Sequence, residues 1–139
     1  MIWTLTVKLV RGLYATAPWA GSIALDSTST LEDLHYAIQR AVDFDDDHLY
    51  EFFLARTERS RERTRFDDED DALFTRTIES LFPLPKDRRL YYLFDYGDSW
   101  VFQIARARNQ PFEAESGVEY PRLVSEKGTK PIQYPETDF

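Results

Sequence analysis

Residues 91–104 read YYLFDYGDSWVFQI. Two aromatic-rich runs flank Asp95-Tyr96-Gly97-Asp98. The runs have strand composition and the polar tetrad has turn composition, which predicts a β-hairpin. With Gly97-Asp98 as a two-residue loop, glycine at the first loop position supplies the positive φ of a tight turn. Pairing then sets Tyr96 against Ser99, Asp95 against Trp100, Phe94 against Val101 and Leu93 against Phe102. Tyr91, Leu93, Asp95, Trp100, Phe102 and Ile104 share one face. Tyr92, Phe94, Tyr96, Ser99, Val101 and Gln103 share the other. The first face is the more apolar and is expected to meet the core, with Trp100 as its anchor. It also carries a carboxylate. An unpaired buried charge is costly, so Asp95 either accepts backbone N–H bonds across the turn or is a binding or acid–base group. Asp98 reads as a turn residue with a weaker claim to binding.

Working outward, Ile2 to Val10 alternates apolar and polar residues, as a half-buried strand does. A second strand, Trp19 to Leu25, returns beside it after the break at Gly12–Pro18. Leu31, Leu34, His35, Ile38 and Val42 recur with helical spacing. Ser29 and Glu32 have the spacing of a capping box, with Thr30 as a competing cap. DFDDDH (43–48) reads as a solvated acidic loop. His48 to Arg56 is a strand apolar on both faces, hence central. Residues 57–71 form a charged, exposed excursion, and a short helix over Thr77–Phe82 ends at Pro83 and Pro85. The hairpin follows, then a last strand over Tyr120–Glu126. Residues 127–139 are expected to lie extended along the surface. The order β-β-α-β-(α)-β-β-β gives an α+β class, with an antiparallel-dominated sheet, one main helix and a first half that suits a β-grasp-like core.

The bulk properties bound the function. The chain has 139 residues, 42% hydrophobic and 15% aromatic, which predicts one globular domain over 1–139. No apolar run approaches the ~20 residues of a membrane span. No secretory signal is visible and there is no cysteine, so a cytoplasmic location is expected. The net charge of −8 disfavours nucleic acid and suits a basic partner.

Several groups are candidates for chemistry. His35 on the helix, His48 at the start of the strand and Asp95 would converge if the helix packs on that strand. Two imidazoles and a carboxylate can bind a divalent metal or act as acid and base. The alternative is structural hydrogen bonding by each histidine. The acidic loop is not a helix–loop–helix calcium site, because its sixth and twelfth positions are His48 and Leu54 instead of glycine and glutamate. Arg56, Arg59, Arg61, Arg63 and Arg65 form a basic cluster. It either pairs with the acidic residues after it or contacts a partner or nucleic acid. Ser60 lies among these arginines without a helix-turn-helix element, which argues against recombinase activity. P-loop, dinucleotide-binding and zinc-protease motifs are missing, so no cofactor, metal ligand or catalytic residue is assigned.

Four motifs together carry a family resemblance. They are Leu34-His35-x-x-Ile38-Gln39, Asp46-Asp47-His48-Leu49-x-x-Phe52, Asp95-x-Gly97-Asp98-x-Trp100, and Tyr120-Pro121. The sequence resembles the plasmid pRiA4b ORF-3-like family over nearly its whole length. The resemblance implies a small α+β protein associated with plasmids and mobile elements, and carries over no catalytic residue. Many members have two arginines after the Pro-Trp pair, where this chain has Ala20-Gly21. Many also end in a cysteine-bearing acidic tail, where this chain has Pro131-Ile132-Gln133-Tyr134-Pro135.

Three functions remain open at this point. The preferred one is a non-enzymatic binding or accessory module that acts through a protein partner, with His35, His48, Asp95, Asp98 and Trp100 as candidate contacts. The second is a metal-dependent or acid–base enzyme using His35, His48 and Asp95. The third is nucleic-acid contact through the arginine cluster, with Arg59, Arg61, Arg63 and Arg65 as the contacts.

Overall fold

The computed structural model describes residues 1–135. Ten elements follow one another: β1 (Ile2–Arg11), β2 (Trp19–Asp26), α1 (Leu31–Val42), β3 (Tyr50–Ala55), β4 (Thr64–Phe66), α2 (Ala72–Thr75), α3 (Ile78–Leu81), β5 (Arg89–Phe94), β6 (Trp100–Arg106) and β7 (Arg122–Gly128). The strands make one antiparallel sheet in the order β4-β3-β5-β6-β1-β2-β7. With its few short helices, the fold is α+β. The β-grasp-like first half is not confirmed, because β5 and β6 lie between β1–β2 and β3.

The alternating pattern read in β1 is realised: Leu5, Val7 and Leu9 are buried while Thr6 and Lys8 are exposed. Those buried residues join Ile23 and Leu25 of β2 and Phe52 and Leu54 of β3. Leu31, Leu34, Ile38 and Val42 of α1 close this core from one side of the sheet. The competing cap prevails at the start of α1. The Thr30 hydroxyl accepts from the Asp33 N–H at 3.2 Å, and the Asp33 carboxylate accepts from the Thr30 N–H at 2.9 Å. The box therefore sits one residue later than Ser29–Glu32.

The hairpin forms, but in a different register. Phe94 pairs with Trp100, Leu93 with Val101 and Tyr92 with Phe102. The loop is Asp95–Ser99, five residues instead of two, closed by the Ser99 N–H bonding to the Asp95 carbonyl at 2.6 Å. Asp95 (φ 65°) and Ser99 (φ 54°) take the left-handed conformations, and Gly97 is not among the positive-φ residues. A shift of one residue on one strand exchanges its faces. Leu90, Tyr92 and Phe94 therefore join Trp100, Phe102 and Ile104 in the main core, and Asp95 leaves the strand for its rim. Packing decides this register, because it puts two large aromatics per strand on the buried side.

The opposite face of the sheet buries a smaller cluster of Phe53, Ala55, Tyr91 and Val101. Both faces of β3 are thus buried, and β4 and β5 flank it as its composition required. The excursion after β3 is not wholly exposed. It returns as β4, pairing Phe66 with Phe52 and Arg65 with Phe53. The last strand extends to Gly128, and Gln133 beyond it is buried, so residues 127–135 are not a purely superficial tail. The rest of that predicted tail, 136–139, lies outside the described residues.

Trp100 is fully buried, and Gly12 is the residue that allows this. A Cβ at position 12 would come within 2.8 Å of Trp100 Cε3. Gly12→Ala is expected to cost about 1–3 kcal/mol through overpacking. Urea unfolding checks it, and an unchanged midpoint would contradict the packing described.

Candidate functional site

The candidate residues gather where α1, the 43–49 loop, the β5–β6 loop and the segment 129–135 meet. They form two separate networks.

The first lies inside the core. His35 and Gln39 are four residues apart on α1, so they face the same way. Both are buried against Tyr92 of β5. The Gln39 Nε2 amide donates to Tyr92 Oη at 2.9 Å. Tyr92 Oη in turn meets His35 Nδ1 at 2.5 Å. His35 Nε2 lies 2.8 Å from Asp46 Oδ1. The Asp46 N–H returns to Gln39 Oε1 at 3.0 Å. One set of proton positions satisfies every member: the tyrosine hydroxyl donates to Nδ1, and a neutral His35 donates from Nε2. Tyr50 of β3 stacks on the imidazole at 3.6 Å between centroids, tilted by 4°. Burial holds His35 below its ordinary value, and Asp46 opposes that less strongly. Burial likewise pushes the Tyr92 hydroxyl up.

The second network is at the surface. Gln133 accepts the Asp45 N–H at 2.6 Å and donates to Asp47 Oδ1 at 2.9 Å. Tyr134 Oη donates to Asp47 Oδ2 at 2.7 Å and lies 2.9 Å from His48 Nε2. That hydrogen bond holds the Asp47 carboxyl below its usual range and raises the Tyr134 hydroxyl to about 12. His48 Nε2 is 3.4 Å from Asp95 Oδ2. The other oxygen of Asp95 accepts the N–H groups of Gly97 (3.0 Å) and Asp98 (3.2 Å). These are the turn-closing bonds weighed for it from the sequence.

His35, His48 and Asp95 therefore do not converge. His48 and Asp95 are together, and His35 is turned into the other network on Asp46 and Tyr92. Their two imidazoles flank Phe94, with ring centroids 6.2 and 6.0 Å from it. Among the described residues, no group of three or more His, Asp or Glu side chains is arranged to hold a metal ion. Trp100 has no exposed surface to offer a ligand. Asp98 lines an open hollow with Arg11, Gly12, Leu13, Gly97 and Ser99.

The arginine cluster divides as well. Arg65 forks onto Glu51, with Nε–Oε2 at 3.0 Å and Nη2–Oε1 at 2.7 Å. Glu51 is buried in the sheet, so Arg65 neutralises a charge the fold has already enclosed. Arg63 lies over the Phe53 ring at 4.0 Å and donates to the Ser60 carbonyl. Arg59 is exposed, 3.8 Å from Glu58, and Arg61 is exposed.

Sequence reasoning missed Tyr92, Gln133 and Tyr134 as polar partners and treated Asp45–Asp47 as merely solvated. The i, i+4 spacing of His35 and Gln39 was the available signal. Gln133 and Tyr134 gave none, since their partners are 86–88 residues away.

The lowered His35 gives a pH dependence with a definite sign. The unfolded chain takes up a proton on this histidine near its ordinary value of about 6.5, and the folded chain resists it. The contribution is intact above that value and is lost as pH falls below it. Urea midpoints measured from pH 7.5 downward should fall below about 6.5, and His35→Asn should flatten that part of the curve while lowering stability at neutral pH. An unaltered slope in the variant would contradict the assignment.

A protein of unknown function from Methanosarcina mazei Go1 has a similar crystal structure, with a TM-score of 0.70 at 23% identity, over 90% of this chain and 68% of that one. At that identity the likeness concerns the fold. No curated protein matches the sequence. The family model for the plasmid pRiA4b ORF-3-like protein matches residues 5–134. Three of the four motifs contribute to the two networks: His35, Gln39 and Asp46 to one, and Asp47, His48 and Asp95 to the other. The chain belongs to the plasmid pRiA4b ORF-3-like family.

Proposed function

We propose that this protein is a non-enzymatic binding module that docks a basic, partly apolar segment of a protein partner, in the plasmid and mobile-element setting its family implies. One observation carries the reading: large apolar side chains stand exposed at the loop end, beside its aspartates. Leu13 is 67% exposed and Ile132 65%, and with Tyr14, Pro131 and Pro135 they line an open groove of about 240 Å³. The Leu13 N–H bonds to the Asp98 carbonyl at 2.8 Å, so the groove adjoins the β5–β6 loop. Asp43, Asp45, Asp47 and Asp98 give this end a negative field, with Lys130 the cation beside Asp43. Lys130 is the one charged residue lining the groove, so a segment docked there would lay its apolar side in the groove and its cationic side toward the aspartates of the adjoining loops.

The acid–base alternative is narrowed to His48 and Asp95, helped by Tyr134, because His35 is enclosed. His48 and Asp95 favour that reading by proximity. They oppose it by occupation, since the other oxygen of Asp95 accepts two turn N–H groups and Asp47 and Tyr134 engage each other.

A lysine- and leucine-rich synthetic peptide, titrated into isotopically labelled protein, tests the preferred reading. Amide shifts are expected to cluster at residues 12–17, 95–99 and 129–135, with affinity reduced at least ~tenfold in Ile132→Asp, a change of about 1.4 kcal/mol. Shifts scattered over β7, or affinity indifferent to Ile132→Asp, would sink it.

A further inference from the structure

We propose that Arg56, Arg88 and Arg89 form a binding site for the phosphodiester backbone of a nucleic acid. The site lies at the end of β3 and β5 away from the acidic loops. Ala55 pairs with Arg89, and Arg56 and Arg88 stand one residue beyond that last pair. The three arginines, with Asp87, line an open hollow of about 400 Å³. Lys86 lies in the same turn, which the Arg88 N–H closes onto the Pro85 carbonyl at 3.1 Å. Four cations and one carboxylate thus occupy residues 56 and 86–89 of a chain with net charge −8.

Like charges side by side across an antiparallel pair destabilise a sheet end. Arg65 pairs with Glu51, Arg59 with Glu58, and Lys130 with Asp43 and Glu126; what sets residues 56, 88 and 89 apart is that three arginines share one hollow. Here, among the described residues, no carboxylate lies within 4.0 Å of the three guanidinium groups. Asp87 gives Arg88 its backbone carbonyl, 3.1 Å from Nη1, instead of its side chain. The forks of Arg56 and Arg89 are free and Arg88 spends only Nη1 on that carbonyl; forks of this kind match phosphate oxygens in pairs. The hollow is open, so it can lie along a strand that presents phosphates at intervals.

Overall acidity does not forbid this. Six residues of β3 separate the arginines from Asp45–Asp47, about 20 Å at ~3.3 Å per residue. That exceeds the ~8 Å screening length at physiological salt, so the site acts through its local charge. The proposal differs from the sequence-based one in its residues. Arg63 and Arg65 are committed within the fold, whereas Arg88 and Arg89, distant in sequence from the 56–65 cluster, take part.

Fluorescence anisotropy with a labelled single-stranded 20-mer, over a salt series, tests the proposal. The wild type should bind at low salt. Arg56→Gln/Arg88→Gln/Arg89→Gln should bind at least ~tenfold more weakly, with a salt slope shallower by about 0.7 for each phosphate no longer neutralised. An unchanged melting temperature would show that the triple variant folds; if it does not fold, Arg89→Gln alone should weaken binding in the same direction. No binding by the wild type at low salt would overturn the proposal, as would equal binding by the variants. Calorimetric binding of inorganic phosphate without any binding of the 20-mer would overturn it too.

Discussion

The loop end depends on a closed circuit of hydrogen bonds running from Gln39 through Tyr92, His35 and Asp46 back to Gln39. Its members come from α1, the 43–49 loop that follows it and the distant β5, so the circuit ties β5 to the helix and fixes the loop on both. His35, Gln39 and Tyr92 are removed from water, and each buried polar group there would cost about 1–3 kcal/mol if left alone, while Asp46 closes the circuit from the solvent side. Together they satisfy one another. The circuit works only with a neutral histidine of one tautomer, which is why burial and the lowered His35 belong to the same description. Gly12 beneath Trp100 and the box at Thr30 help to set the elements around it, but neither specifies how the acidic loop is held.

Once Asp46 is fixed, its neighbours follow. Asp45 and Asp47 present a backbone N–H and a carboxylate to Gln133 and Tyr134, and His48 is carried to Asp95. The C-terminal segment is drawn across the loop and forms one wall of the apolar groove. Within the row of aspartates, the Asp46 carboxylate is engaged by His35 and the Asp47 carboxylate by Gln133 and Tyr134. The side chains that look most chemical are therefore largely occupied with holding the chain together. What they leave exposed is a surface: apolar and acidic at one end of the strands, basic and unpaired at the other.

Much of the fold was legible because it rests on local signals. The alternation in β1, the stripe of Leu31, Leu34, Ile38 and Val42, and the two-faced apolarity of β3 each identified an element and its exposure. The hairpin register was not legible. Gly97-Asp98 has the chemistry of a tight turn, yet burial of Tyr92, Phe94, Trp100 and Phe102 outweighed it, and Asp95 and Ser99 took the left-handed positions instead. β4 was hidden because Arg65 is a charged residue pairing into the sheet, and only the buried Glu51 explains it. The site was half legible. His48 with Asp95 could be anticipated from chain order; His35 with Asp46 and Tyr92 depends on the true faces of β5, which the assumed register had exchanged.

The most direct test of the circuit is the protonation state of His35, read by nitrogen NMR of the imidazole at neutral pH. The account predicts a single neutral tautomer, with a slowly exchanging proton on Nε2 and a bare Nδ1 that accepts from Tyr92. A doubly protonated ring, or rapid averaging of the two tautomers, would contradict it.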